Sequence, residues 1–132
     1  MTISKKRRKV LVVDDDQFIS EMYVLKLRES GYEAESAADG IAALEKIKNN
    51  EPEVVLLDVV LPNMDGFDIL KKLGEDNILK KTSVVLLSNL GEKKDIEKGL
   101  ALGAIDYIVK AHFTPSEVVE RVDKILNKEK KS

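Results

Sequence analysis

The sequence predicts a doubly wound α/β fold, a five-stranded parallel sheet of order 2-1-3-4-5 covered by five helices. Three observations lead there. Short apolar runs alternate with longer amphipathic segments, so the pattern switches repeatedly between strand and helix periods, as successive βα units require. Three of the strand-like runs hold an unbroken apolar stretch of four residues and two have acids embedded within them, which separates strands covered on both faces from strands at an edge. Sequential strands tend to be neighbours joined by right-handed crossovers, so placing the two acidic strands outside leaves 2-1-3-4-5 as the natural order. A chain of 132 residues, 43% hydrophobic, has material for one such domain with one core.

VLVV (10–13) reads as the first strand, central and buried. Phe18, Met22, Leu25 and Leu27 supply the apolar spacing of the first helix, which Gly31 closes in left-handed backbone. YEAES (32–36), with its embedded acids, is one edge strand. A second helix runs from about Gly40 to Asn49, with Ile41, Leu44 and Ile47 inward. EVVLL (53–57) is the next central strand; the third helix follows Asp65, turns Phe67, Leu70 and Leu73 inward and ends at Gly74. SVVLL (83–87) is central again, and Ile96, Leu100 and Leu102 mark a fourth helix ending at Gly103. IDYIV (105–109) is the second edge. TPSE (114–117) opens the fifth helix, where Thr114 caps, Pro115 suits the first helical position and Glu117 completes a capping box. The expected domain is 9–127, between a flexible basic leader (1–8) and a charged tail (128–132). The run Lys5, Lys6, Arg7, Arg8, Lys9 lacks the interleaved aromatics of a nucleic-acid patch and reads as a solvated leader.

Composition removes several function classes. With 22 Lys+Arg against 24 Asp+Glu the formal charge is -2, which gives no global attraction to nucleic acid or to an anionic membrane. The absence of Cys excludes disulfides, thiolate zinc sites and cysteine nucleophiles, and a single histidine, His112, excludes a multi-His metal site. No apolar run approaches the roughly 20 residues needed to span a bilayer, and the N-terminus lacks the apolar segment of a secretion signal. The expectation is a soluble, cytoplasmic protein with no membrane partner and no direct nucleic-acid binding.

An oxygen-ligand site remains open. In the expected order the sheet reverses between strands 1 and 3, and ligands of open parallel sheets bind beyond the carboxyl ends of the strands at that reversal. The residues there are Asp14, Asp15 and Asp58. Clustered carboxylates repel one another unless a cation joins them, and Mg²⁺ suits one or two carboxylates with waters and a phosphate completing its octahedron. Asp16 is more simply the cap of the following helix. Ser88 and Lys110 follow strands 4 and 5 toward the same crevice. Alone, each is an ordinary turn or edge residue. Together with the acids they provide a carboxylate nucleophile, a metal, a hydroxyl donor and an ammonium, the parts phosphoryl transfer uses.

At these residues the sequence resembles the receiver domains of two-component response regulators, closest in size to the single-domain chemotaxis regulators, from about Lys9 to Leu126. The fold implied is flavodoxin-like. VLVVDDD matches the family's acidic pair, LLDVVLPNMDG its acceptor segment, LLSN its hydroxyl position and DYIVK its switch aromatic and lysine. The resemblance implies that Asp58 accepts a phosphoryl group from the phosphohistidine of a sensor histidine kinase or histidine phosphotransfer protein. Asp15, Asp58 and the Val60 carbonyl would hold Mg²⁺, with Asp14 acting through water. Ser88 and Lys110 would bind the phosphoryl oxygens, Ser88 and Tyr107 would form the switch, and Pro62, Asp65 and Gly66 would shape the loop after the acceptor. Val60 and Leu90 would border the path of the water that hydrolyses the acyl phosphate. Such a protein is a switch more than an enzyme, promoting its own phosphoryl transfer and dephosphorylation. It would address a downstream protein through its fourth helix, fifth strand and fifth helix, and the resemblance also allows a phosphorylation-dependent homodimer.

Two departures stand out. In KAHF (110–113), Ala111 replaces the proline that usually follows the lysine through a cis bond. A cis bond before a non-proline residue costs about 2.5–4 kcal/mol, so this one is expected to be trans with a shifted Lys110, or strained. Asn89 stands where a small residue is usual. The rival from another class is a haloacid-dehalogenase-type phosphatase using Asp14 and Asp16 as a D-x-D pair. Phe18 occupies the place of its expected Thr or Val, and nothing supplies its later acidic motif.

Overall fold

The computed structural model describes residues 8–130, with side chains through Asn127; all of the basic leader except Arg8, and residues 131–132 of the tail, lie outside the described residues. The elements are β1 (Lys9–Val13), α1 (Gln17–Glu29), β2 (Glu33–Ala37), α2 (Gly40–Asn50), β3 (Val54–Leu57), α3 (Gly66–Glu75), β4 (Ser83–Ser88), α4 (Lys93–Ala101), β5 (Asp106–Val109) and α5 (Pro115–Lys130). Short 3-10 turns occupy Ile78–Lys80 and Lys110–His112.

Five strands pair in parallel in the order β2-β1-β3-β4-β5, so the order read from the apolar runs holds. The three apolar strands are central because helices cover them on both sides. Along β1, Val10 and Val12 face one core layer with Tyr23, Leu27, Ile108, Val118 and Val122, under α1 and α5. Leu11 and Val13 face the other, with Ile47, Leu57, Leu70, Leu73 and Leu86, under α2 and α3. Burying one such aliphatic side chain stabilises by roughly 1.5–3 kcal/mol, so period-two alternation across two layers makes a slipped register costly.

The helices agree with the sequence reading in existence and differ in phase. Phe18, Met22 and Leu25 are 79%, 36% and 59% exposed; α1 instead buries Ser20, Tyr23, Val24 and Leu27. Both sets have helical spacing, because α1 carries apolar residues around much of its circumference. In α2, Ile41 is 69% exposed, and Gly40, Ala43 and Ile47 form the inner face. The helix lies close there: a Cβ on Gly40 would stand 3.1 Å from Met64 Sδ. α3 buries Phe67, Leu70 and Leu73 as expected but continues one residue past Gly74. In α4, Leu100 is exposed, Ile96 only half-buried, and the single buried residue is Gly99. α5 opens at the expected capping box, with Glu117 Oε1 accepting from the Thr114 N–H (2.8 Å) and Thr114 Oγ1 from the Glu117 N–H (3.2 Å).

Candidate functional site

Sheet hydrogen bonding carries one residue beyond β1 and β3 and thereby fixes the two acids that end them. The Asp14 N–H donates to the Ala37 carbonyl (3.1 Å) and the Asp58 N–H to the Val13 carbonyl (3.0 Å). Behind Asp58 the start of α3 presses close: the Gly66 N–H donates to the Val59 carbonyl (2.8 Å), and a Cβ on Gly66 would fall 2.4 Å from the Asp58 carbonyl oxygen. Only glycine fits that approach.

Asp14, Asp15 and Asp58 each offer a carboxylate oxygen within 4.8 Å of the others. Asp14 and Asp58 are 3% and 7% exposed, whereas Asp15 is open to solvent. Lys110 Nζ bridges the buried pair, 2.6 Å from Asp14 Oδ2 and 2.8 Å from Asp58 Oδ2. Burial alone would lower the Lys110 ammonium, but its hydrogen bonds to both carboxylates and their negative charge outweigh this and hold its pKa above the ordinary value. The remaining oxygens turn to backbone: Asp14 Oδ1 accepts from the Asp16 N–H (2.9 Å) and Asp58 Oδ1 from the Val60 N–H (3.1 Å). One ammonium set against three carboxylates leaves the crevice acidic, and a donor set made only of oxygen suits a hard divalent cation.

Ser88, the fully buried last residue of β4, pairs in register with Val109, next to Lys110. Its hydroxyl oxygen accepts from the Leu90 N–H (3.3 Å), and the phenol of Tyr107 donates to the Leu90 carbonyl. One residue of backbone thus connects Ser88 with Tyr107. Tyr107 is half-buried, and burial, reinforced by Asp95 and Asp58 and opposed by the nearby Ser88 hydroxyl, raises its pKa. Sequence reading missed Leu90 as a shared partner, because main-chain hydrogen bonding leaves no trace in residue type. Its own side chain and that of Val60 are exposed.

Asp16 stays outside the cluster, as the capping reading had it: its side chain is exposed and accepts from the Ile19 N–H (3.1 Å) at the start of α1. No cis peptide bond occurs among the described residues, so Lys110–Ala111 is trans, and Lys110 still reaches both acids.

An acidic crevice at the switch point of a 2-1-3-4-5 sheet, closed by the lysine that follows the last strand, defines a receiver-type signalling domain. The profile of the response regulator receiver domain matches residues 10–123, and the chain belongs to that family, the receivers of two-component systems. The alkaline phosphatase synthesis transcriptional regulatory protein PhoP of Bacillus subtilis is 38% identical over 121 residues, which are 92% of this chain and 49% of that protein. The DNA-binding response regulator MtrA of Mycobacterium tuberculosis is 39% identical over 116 residues, 88% of this chain and 49% of that protein. The chain therefore spans about half the length of these curated relatives. Among solved structures, a CheY-like receiver domain protein from Methanospirillum hungatei has a TM-score of 0.87 at 28% identity, covering 96% of this chain and 98% of that one. The BeF3-activated DrrB receiver domain has a TM-score of 0.81 at 32% identity, covering 92% and 99%. The phosphatase alternative finds no support in these likenesses. Among the described residues no helix is long and apolar enough to cross a membrane.

Proposed function

We propose that Asp58 is the residue through which this switch is set, accepting a phosphoryl group from the phosphohistidine of a sensor histidine kinase or histidine phosphotransfer protein. The observation that carries this reading is the bridge of Lys110 Nζ between Asp14 and Asp58 at the mouth of an all-oxygen cluster. In the transfer, a carboxylate oxygen of Asp58 forms a bond to phosphorus while the bond from phosphorus to the imidazole nitrogen breaks, and the imidazole leaves with the electron pair. Catalysis of such a step is mostly positioning and neutralisation of charge. Lys110 is positioned to exchange part of its carboxylate contact for a phosphoryl oxygen. Asp15, Asp58 and the Val60 carbonyl would hold Mg²⁺, with Asp14 acting through water; the ion would neutralise charge on the transferring oxygens.

The readout follows from Ser88. A phosphoryl oxygen on Asp58 takes the hydroxyl proton of Ser88 as a hydrogen bond, and any shift of Ser88 passes through Leu90 to Tyr107. The face of α4, β5 and α5, where Leu100 and Ile105 are exposed, then presents the signal to a downstream protein or, in the phosphorylated form, to a second copy. This reading places the protein in the cytoplasm and assigns the domain no direct nucleic-acid contact.

The test is incubation with acetyl phosphate and Mg²⁺, followed by intact mass measurement of wild type and Asp58→Asn. The expected result is one added phosphoryl group on wild type, lost when Mg²⁺ is chelated, and none on the variant. An adduct persisting in Asp58→Asn overturns the assignment.

A further inference from the structure

α4 is attached to the domain differently from the other helices. α3 buries five residues, whereas α4, nine residues long, buries one, and its N-cap Glu92 makes no side-chain capping bond. Beside that one residue, Gly99, Lys98 lies over the ring of Phe67 on α3, 4.6 Å from its centroid. Gly99 itself is the point where α4 meets the sheet. A Cβ placed there would lie 2.3 Å from Leu86 Cδ1 and 3.2 and 3.4 Å from Cδ2 and Cε2 of Tyr107. Leu86 and Tyr107 are register partners across β4 and β5, so the gap opens onto one cross-strand pair.

Backbone conformation does not call for this glycine, since among the described glycines only Gly31 and Gly103 have positive φ. A glycine inside a helix is unfavourable relative to alanine, so the missing side chain has to be explained by what fills its place. Leu86 Cδ1 comes nearest, and beside it, at tight contact, lies the ring whose hydroxyl reaches the Leu90 carbonyl. Three parts therefore meet at Tyr107: α4 through Gly99, β4 through Leu86, and the loop before α4 through Leu90.

We infer that Gly99 is a positioning residue for Tyr107, its absent side chain forming the seat that lets the ring lie against α4 with its hydroxyl on Leu90. The position of α4 and the placement of the ring are then one variable. The consequence for signalling rests on the assignment of Tyr107 as the switch, while the seat itself rests on packing alone.

The experiment compares wild type, Leu86→Val, Gly99→Ala and Gly99→Ala/Leu86→Val by NMR of the tyrosine rings, with and without beryllofluoride. The chain has three tyrosines, so Tyr107→Phe assigns the signal. Leu86→Val removes Cδ1 and with it the contact that threatens folding, leaving the crowding of Tyr107 alone in the double variant. The expected result is a displaced, more solvent-accessible Tyr107 ring in the double variant relative to Leu86→Val, with Tyr23 and Tyr32 unmoved. Phosphoryl uptake from acetyl phosphate should be roughly threefold slower, because losing one contact shifts a pre-existing equilibrium away from the bonded ring. Tyr107 signals that coincide in those two proteins overturn the seat. A displaced ring with unchanged uptake overturns its link to phosphoryl transfer. Failure of wild type to take up a phosphoryl group removes the reading of Asp58 instead, and the ring comparison still decides Gly99.

Discussion

The acids of the crevice were legible because each follows an apolar run whose end is unambiguous: VLVV delivers Asp14 and Asp15, and VVLL delivers Asp58. Lys110 was legible for the same reason at β5. What residue types could not show is how the charges divide, with Lys110 joining the two buried acids while Asp15 stays open. Val60 and Leu90 illustrate both sides of this. Each N–H is anchored on a key group, Val60 on Asp58 (3.1 Å) and Leu90 on Ser88 (3.3 Å), so their side chains are held at the rim while remaining exposed. Hydrolysis of an acyl phosphate needs a water held in line, and neither a valine nor a leucine offers it a hydrogen bond. Asp58 phosphate should therefore be long-lived, and Val60→Asn with Leu90→Glu should shorten its life about tenfold, equivalent to roughly 1.4 kcal/mol of barrier. Loss of phosphate measured at equal Mg²⁺, with folding verified, checks this; a double variant that decays no faster than wild type sinks it.

Elements were easier to find than to orient. α1 illustrates why: its apolar residues satisfy helical spacing on two faces, and nothing local marks the stripe of Tyr23, Val24 and Leu27 as the one facing the sheet. The sheet edge shows a feature of the opposite kind, written in charge. In β2, the Glu33 N–H and the Ala37 carbonyl face β1, so by alternation Ala34 and Ser36 turn outward along the free edge. Both outward carbonyls are covered. Arg28 of α1 donates through Nε and Nη2 to the Ala34 carbonyl (3.1 and 2.9 Å), and Lys46 of α2 donates to the Ser36 carbonyl (2.5 Å). A bare edge strand is a template for pairing with another chain, and cations folded over it prevent that. Arg28→Ala with Lys46→Ala should cost roughly 1 kcal/mol per lost hydrogen bond and should also produce concentration-dependent self-association. Sedimentation velocity across a concentration series is the check, and a double variant as monodisperse as wild type at every concentration would contradict the capping role.

At the scale of the molecule, strand order was readable because burial on two faces excludes charge, whereas the ties between distant segments were not, since they join residues far apart in sequence. Arg8 pairs with Glu53 and donates to the Leu126 carbonyl (3.5 Å), while Tyr32 after α1 donates its hydroxyl to Asp123 of α5. These contacts fasten α5 to the start of the sheet and to the turn before β2, and they give the fold a pH dependence of definite sign. Burial raises Tyr23, Tyr32 and Tyr107 above the ordinary 10.0; for Tyr32 the hydrogen bond to Asp123 adds to it and Arg8 opposes. Lys110 is raised above 10.5 by its carboxylates despite its burial. In every case the folded state holds the proton more tightly than the unfolded chain. The stabilisation is therefore complete below about pH 10 and is lost as pH rises through the folded values. The expected signature is an alkaline limb. Of the four groups, Tyr32 is the one whose proton lies on a tie between α5 and the rest, and its removal isolates that share. Tyr32→Phe should be less stable than wild type near neutrality, because Asp123 loses its donor, yet its stability should fall less steeply between about pH 9.5 and about 11.5. Urea unfolding across that range reads both effects, and parallel curves for the two proteins would show that the Tyr32 proton does not contribute to the alkaline limb.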